Sequence, residues 1–203
     1  MQAARGTPIT AAPQPATTRR RTRRLFALVA LTGLALDVLT KILAVDRLDM
    51  AAPVRLLGGA LTLRLIRNPG AAFSLGESFT FVFALLSVAV LAFVVVRLVP
   101  TLGHVGWALA LGLLCAGVAG NLTDRLFRAP GFLHGHVVDF LQLPRWPIFN
   151  VADMCITSAA VLIMVLSVVK NVAITGERYE KPEPAPRGDP GPDGRTAPGA
   201  ADE

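Results

Sequence analysis

The sequence predicts an all-α membrane protein, four transmembrane helices carrying a small extracytoplasmic antiparallel β-sheet. Three observations predict it. Hydrophobic residues make up 53% of the chain and charged residues only 17%, too apolar for an ordinary soluble domain. The stretches 78–96, 98–123 and 154–169 hold no formally charged residue, and crossing a bilayer core takes about 20 mostly apolar residues. Arg19, Arg20, Arg21, Arg23 and Arg24 stand directly before a further apolar run, with no acidic residue ahead of Asp37.

The arginine run is the cytoplasmic anchor of the positive-inside rule. It also accounts for much of the net charge of +6, so that no nucleic-acid partner is implied. Residues 1–24 form a basic cytoplasmic tail expected to be disordered, 25–172 a four-helix membrane domain, and 173–203 a Pro/Gly/acidic cytoplasmic tail, again disordered. Helix one, about 25–45, spans only with Asp37 and Lys41 inside it. Thr22-Arg23-Arg24-Leu25-Phe26 is similar to a twin-arginine export signal. Those internal charges, three further spans and the lack of a small-x-small site point instead to an uncleaved first helix.

With the N-terminus inside, helix one runs outward, helix two (about 79–98) inward, helix three (about 103–123) outward and helix four (about 151–171) inward. Both termini are then cytoplasmic, and the loops 46–78 and 124–150 are extracytoplasmic. Those loops carry Arg47, Arg55, Arg64, Arg67, Arg125, Arg128 and Arg145. The first span nevertheless dominates orientation. In the first loop, 61–65 alternates apolar and polar as a half-exposed strand does, and Gly58-Gly59 marks a hairpin turn. A lone hairpin is marginal in water, so this sheet must lean on the helices or the lipid interface. Cys115 and Cys155 lie inside predicted helices without metal-ligand spacing, and neither a metal nor a cofactor is indicated.

The scarce polar residues converge at one depth under this topology. Asp37 lies roughly 19 Å from the inner end of helix one at 1.5 Å per residue, about two thirds of the way outward. Asn68 and Gly70 precede helix two, and Asn121, Asp124 and Arg125 share one face at the outer end of helix three. Asp139 lies in the second outer loop, and Asn150 and Asp153 open helix four. Asp37 and Lys41 form an ion pair by i, i+4 spacing, structural or chemical in role. Asn121, Asp124 and Arg125 read as scaffolding. Asn68-Pro69-Gly70 is a turn whose Asn can also bond a substrate backbone. Asn150 reads as an N-cap and Asp153 as its N3 partner, and the helix dipole favours the ionised form of Asp153. Asp139 stands among Val and Phe, which favours its protonated form. Two neighbouring carboxyls with opposite tendencies suit acid–base chemistry on a water. His104 falls near the inner turn, and His134 and His136 fall close to Asp139 in sequence.

Five ordered motifs carry a resemblance: Asp37-x-x-x-Lys41, 68–74 (Asn-Pro-Gly-Ala-Ala-Phe-Ser), 120–125 (Gly-Asn-Leu-x-Asp-Arg), 135–140 (Gly-His-Val-Val-Asp-Phe) and 149–153 (Phe-Asn-Val-Ala-Asp). The chain resembles the lipoprotein signal peptidase (signal peptidase II) family over about 25–172. The resemblance implies a bacterial cytoplasmic (inner) membrane aspartic endopeptidase. Its substrates are prolipoproteins whose lipobox cysteine carries a diacylglyceryl group, cut just before that cysteine. It also implies Asp139 and Asp153 as the catalytic dyad and Asp37, Lys41, Asn68, Gly70, Asn121, Asp124, Arg125 and Asn150 as substrate-binding or supporting residues. Membrane lipids and the cyclic peptide inhibitor globomycin are implied partners. The stretch 127–133, with Ala129-Pro130-Gly131, is longer than the family's usual connection.

A small proton- or ion-coupled membrane carrier is the alternative, since buried acids and an Asp–Lys pair also suit transport. A carrier places its key charges near the midplane, whereas these gather at the outer interface. A purely structural scaffold leaves Asp139 without a purpose.

Overall fold

The computed structural model describes residues 16–70 and 80–177. Four helices in it are long and apolar enough to cross a membrane: Thr18–Arg47, Thr80–Thr101, Val105–Phe127 and Val151–Val169.

Helix α1 (Ala16–Arg47) begins at Ala16 rather than near residue 25, so part of the expected N-terminal tail is helical. Residues 16–24 contain neither Gly nor Pro, and arginine is a good helix former. The extension is also tied down. Thr22, 1% exposed, donates to the Leu102 carbonyl at 2.9 Å. Arg23 donates to the carbonyls of Val99 and Pro100 at 3.2 and 2.6 Å. The remainder of the expected tails, 1–15 and 178–203, lies outside the described residues.

Helix α2 (Thr80–Phe93) continues through a π turn, Val94–Leu98, and a 3₁₀ turn, Val99–Thr101, where Pro100 helps end it. Helix α3 (Val105–Phe127) starts at an N-cap, His104, whose side chain accepts from the Gly106 amide. Helix α4 (Val151–Met164) runs on into a π turn, Val165–Val169. After it the chain folds back. The Trp107 indole donates to the Val172 carbonyl at 2.9 Å and the Gly103 amide to the Ile174 carbonyl at 3.0 Å. Residues 172–174 are therefore anchored, past the expected end of the domain at 172.

Helix α3 is the central element, packed against α1, α2 and α4. Small residues let its neighbours approach closely, the usual device where lipid supplies no hydrophobic drive between helices. A Cβ on Gly117 would collide with the Ala152 carbonyl oxygen, and one on Gly120 with the Asp37 carboxylate. The outward faces stay apolar, with Leu28, Leu31, Val168 and Val169 all more than 60% exposed. Such faces need lipid around them.

The sheet has three antiparallel strands in the order β1 (Val54–Leu56), β2 (Leu61–Asn68) and β3 (Val137–Gln142). Gly58 and Gly59 take φ of 65° and 96° in the β1–β2 turn, as the sequence predicts. The third strand was not expected; it comes from the second loop, whose Val-Val-Asp-Phe run is rich in strand-forming residues. Its register sets Asp139 opposite Ile66 and Val137 opposite Asn68. Val138, Phe140 and Leu65 pack with Ala44 of α1 into a small core, so the sheet does lean on a helix.

Candidate active site

The edge where this sheet meets α1, α3 and α4 collects the polar residues that the sequence singles out. Asn150 is the N-cap of α4, and its side chain accepts from the Asp153 amide at 3.0 Å. The Asp153 carboxylate accepts from the Asn150 amide at 3.1 Å, completing a capping box. The Asn150 side-chain amide then reaches Asp139 Oδ1 at 2.6 Å. One asparagine thus touches both aspartates and fixes their separation.

Asp139 is 2% exposed. Its second oxygen, Oδ2, accepts from Asn68 Nδ2 at 2.9 Å. Asn68 Oδ1 accepts from the Gly70 amide at 2.9 Å, so the expected turn exists and also aims Asn68 at the aspartate. Gly70 has φ +112°, and a Cβ there would sit 3.1 Å from the Phe83 ring. Burial pushes the Asp139 carboxyl up to about 6. The Asn68 and Asn150 donors and the Lys41 charge oppose this, while the Asp153 charge adds to it. The protonated tendency read from the sequence is present, and its main cause is desolvation.

Asp153 is less enclosed. Its Oδ1 accepts from Asn121 Nδ2 at 2.9 Å. It lines a cavity of about 340 Å³ with Leu143, Trp146, Phe149 and Met154, apolar over most of its wall. Such apolar walls beside one carboxylate suit a largely apolar ligand.

Behind the pair lies a buried charge cluster. Lys41 Nζ contacts Asp37 Oδ2 at 2.8 Å and Asp124 Oδ2 at 2.9 Å, and donates to Asn121 Oδ1 at 3.0 Å. Asp37 Oδ1 accepts from the Ala152 amide at 2.8 Å, satisfying one of the orphan N–H groups that open α4. Asp124 accepts from the Val138 amide at 3.1 Å and pairs with Arg128 Nε. Two carboxylates and two cations therefore cancel in a place where a lone charge would be costly. Asp37 also grips α4, Lys41 grips α3, and Asp124 grips β3. Arg125 donates to the Asn121 carbonyl at 3.1 Å, and its guanidinium lies 5.7 Å from the Phe83 ring centroid.

All ten candidate residues thus fall in or beside one network. Arg128 was not singled out from sequence, although its i+4 spacing from Asp124 was a usable signal. Asp37's hold on the start of α4 could not be foreseen, because it crosses between helices far apart in sequence. His104 and His134 go elsewhere. His134 stacks on Phe81 at 5.8 Å between centroids and keeps Nδ1 3.0 Å from the Phe132 carbonyl, while His104 caps α3. Among the described residues no cluster of three His, Cys, Asp or Glu side chains is arranged to hold a metal, and Cys115 and Cys155 are free and buried.

The family profile described as signal peptidase (SPase) II matches residues 29–169. A lipoprotein signal peptidase of Rhodococcus jostii is 49% identical over 159 residues, 78% of this chain and 79% of that protein. One from Mycobacterium avium is 46% identical over 160 residues, 77% of this chain and 85% of that protein. A solved bacterial membrane enzyme superposes with a TM-score of 0.59 at 24% identity, over 77% of this chain and 94% of its own, a likeness of fold. Another gives 0.58 at 26% identity, over 70% and 92%. The chain belongs to the signal peptidase II family.

Proposed function

We propose that this chain is a membrane aspartic endopeptidase that removes the signal peptide from diacylglyceryl-modified prolipoproteins, cutting before the lipidated lipobox cysteine. Asp139 and Asp153 are its catalytic pair. The observation that carries this reading is Asn150, which bonds both carboxylates at once and so holds two acids of unlike environment together. Asp153 accepts from the Asn150 backbone amide and Asn121 at the positive end of α4, a setting for a carboxylate. Asp139 is the buried member with the raised pKa. Asp153 therefore takes a proton from water while Asp139 gives one to the scissile carbonyl. The tetrahedral intermediate collapses as a proton returns to the leaving amine. No serine or cysteine nucleophile is needed, and no acyl-enzyme forms.

The remaining residues support that step. Asn68 and Asn150 orient Asp139, Asn121 orients Asp153, and Lys41 with Asp37 and Asp124 locks β3 and α4, which carry the two aspartates. Arg125 Nε, buried and without a partner among the described residues, is free to donate to a peptide carbonyl. Gly70 lets the 68–70 turn pass close to Phe83. Burial of the acyl chains beside the helices supplies affinity, and the sheet clamps the peptide from above. The arginine run ahead of residue 25 supports a bacterial cytoplasmic membrane setting with both termini cytoplasmic and loops 46–78 and 124–150 outside. A carrier reading gains nothing, because Lys41 is held by three partners and has no room to move as a carried charge would require.

The test is incubation of purified protein with one prolipoprotein in two forms, with and without the diacylglyceryl group. Cleavage before the cysteine of the lipidated form, blocked by globomycin, is the expected result. Equal cleavage of both forms would contradict lipid recognition, and cleavage of neither would remove the peptidase reading.

A further inference from the structure

At the opposite end of the bundle from the aspartates, α1 presents Arg19, Arg20, Arg23 and Arg24. These positions, i, i+1, i+4 and i+5, fall within one sector of the helix. Together with Ala27 they line a cavity of about 500 Å³. No described carboxylate forms an ion pair with any of them; the four ion pairs among the described residues involve Lys41, Arg47 and Arg128. The first turn of α1 holds no acidic residue either, so the helix's positive end adds to the same field.

Two features make this more than a row of solvated arginines. Arg23 is already committed, bonded to the carbonyls of Val99 and Pro100, which fixes one wall of the cavity against the turn between α2 and α3. Arg19 is half-buried, and its Nε is buried without a hydrogen-bond partner among the described residues. A buried charged donor left unpaired is costly, and that cost is removed when an anion arrives. Like charges at i and i+4, here Arg19 with Arg23 and Arg20 with Arg24, also repel unless something neutralises them. The cavity sits at the end of a membrane span, beside apolar lipid-facing residues such as Leu28. A guanidinium matches a phosphate diester through paired N–H donors.

We propose that this cavity is a binding site for the headgroup phosphate of an anionic phospholipid, with Arg19, Arg20 and Arg24 as its ligands and Arg23 as the residue that shapes it. The lipid would pin α1 to the 99–102 turn at the end remote from the chemistry. The site stands on its own geometry whichever leaflet this end faces; in the orientation proposed above it is the cytoplasmic one.

The experiment uses the full chain in phosphatidylcholine nanodiscs with and without phosphatidylglycerol. Retained lipid is counted by native mass spectrometry after release, and thermal stability is followed alongside. Phosphatidylglycerol should be enriched on the wild type and raise its melting temperature. Arg20→Gln and Arg24→Gln should each cut that enrichment roughly fivefold, the worth of one arginine near an anionic surface. Lysine at either position should recover only part of it, because the fork is lost. Arg21→Gln, outside the sector, should change little. Equal losses from Arg21→Gln and Arg20→Gln, or full rescue by lysine, would reduce the effect to diffuse surface charge and overturn the proposal. Inorganic phosphate reproducing the stabilisation in pure phosphatidylcholine would assign the site to a soluble anion instead. Enrichment that appears only after removal of residues 178–203 would make the acidic C-terminal segment the occupant and overturn it as well. Peptidase activity in pure phosphatidylcholine serves as the folding control, since none of these arginines touches the aspartates.

Discussion

Asp139 has both carboxylate oxygens engaged by amide donors, from Asn150 and Asn68, yet burial still carries its pKa to about 6. The two amides favour the charged form, so a proton held on Asp139 uses a lone pair that faces away from both. Deprotonation of Asp139 removes the general acid. The pH profile of kcat/KM should therefore fall on its alkaline side, with an apparent pKa near 6 in the free enzyme. Asn68→Ala removes a donor that lowers this pKa, so the descending limb should move to higher pH while the maximal rate drops. A limb that stays in place, or moves to lower pH, would show that another group limits the reaction.

Helix α3 meets its neighbours so closely that single atoms decide the fit. Gly120→Ala would press a methyl group against the Asp37 carboxylate and the Ala152 side chain. Overpacking of this kind costs about 1–3 kcal/mol, to be read as a lowered unfolding midpoint in detergent with loss of activity. A neutral outcome would mean that Asp37 does not need its present position. The spans were legible in the sequence because charge-free stretches of that length have few other uses. The β1–β2 turn was legible from its paired glycines, and the capping box at Asn150 and Asp153 from local spacing. Strand β3 was not, because 137–142 is short and its pairing with β2 spans some seventy residues. The early start of α1 was hidden as well. An arginine run looks the same as a tail or as a helix leaving the bilayer, and its hold on the turn at 99–102 is tertiary. Convergence of the ten candidate residues, nine of them polar, followed from topology, whereas their partners did not: Lys41 joining α1 to α3, and Asp37 capping α4, are contacts between elements remote in sequence.

For the molecule as a whole, the arrangement is a polar seam between two apolar layers. One core lies around Trp107, Leu111 and Leu166, and a smaller one lies beneath the sheet around Leu65 and Phe140. The seam sits at the sheet end, where the proposed lipidated substrate would meet the aspartates. The proposed chemistry requires the sheet to be extracytoplasmic. Leu57, 82% exposed in the β1–β2 turn, offers the probe, since Cys115 and Cys155 are buried. Leu57→Cys in intact cells should react with a membrane-impermeant maleimide. Labelling only after the membrane is opened would reverse the orientation.

The central claim is that Asp139 and Asp153 act as a pair, and the most direct measurement is cleavage of diacylglyceryl prolipoprotein by the wild type beside Asp139→Asn and Asp153→Asn. Each variant should keep its membrane accumulation and melting behaviour while losing cleavage by at least about a hundredfold, the low end of what a positioned acid or base contributes. Cleavage persisting near the wild-type rate in either variant would contradict the dyad and move the chemistry to another carboxylate, with Asp124 the next to change.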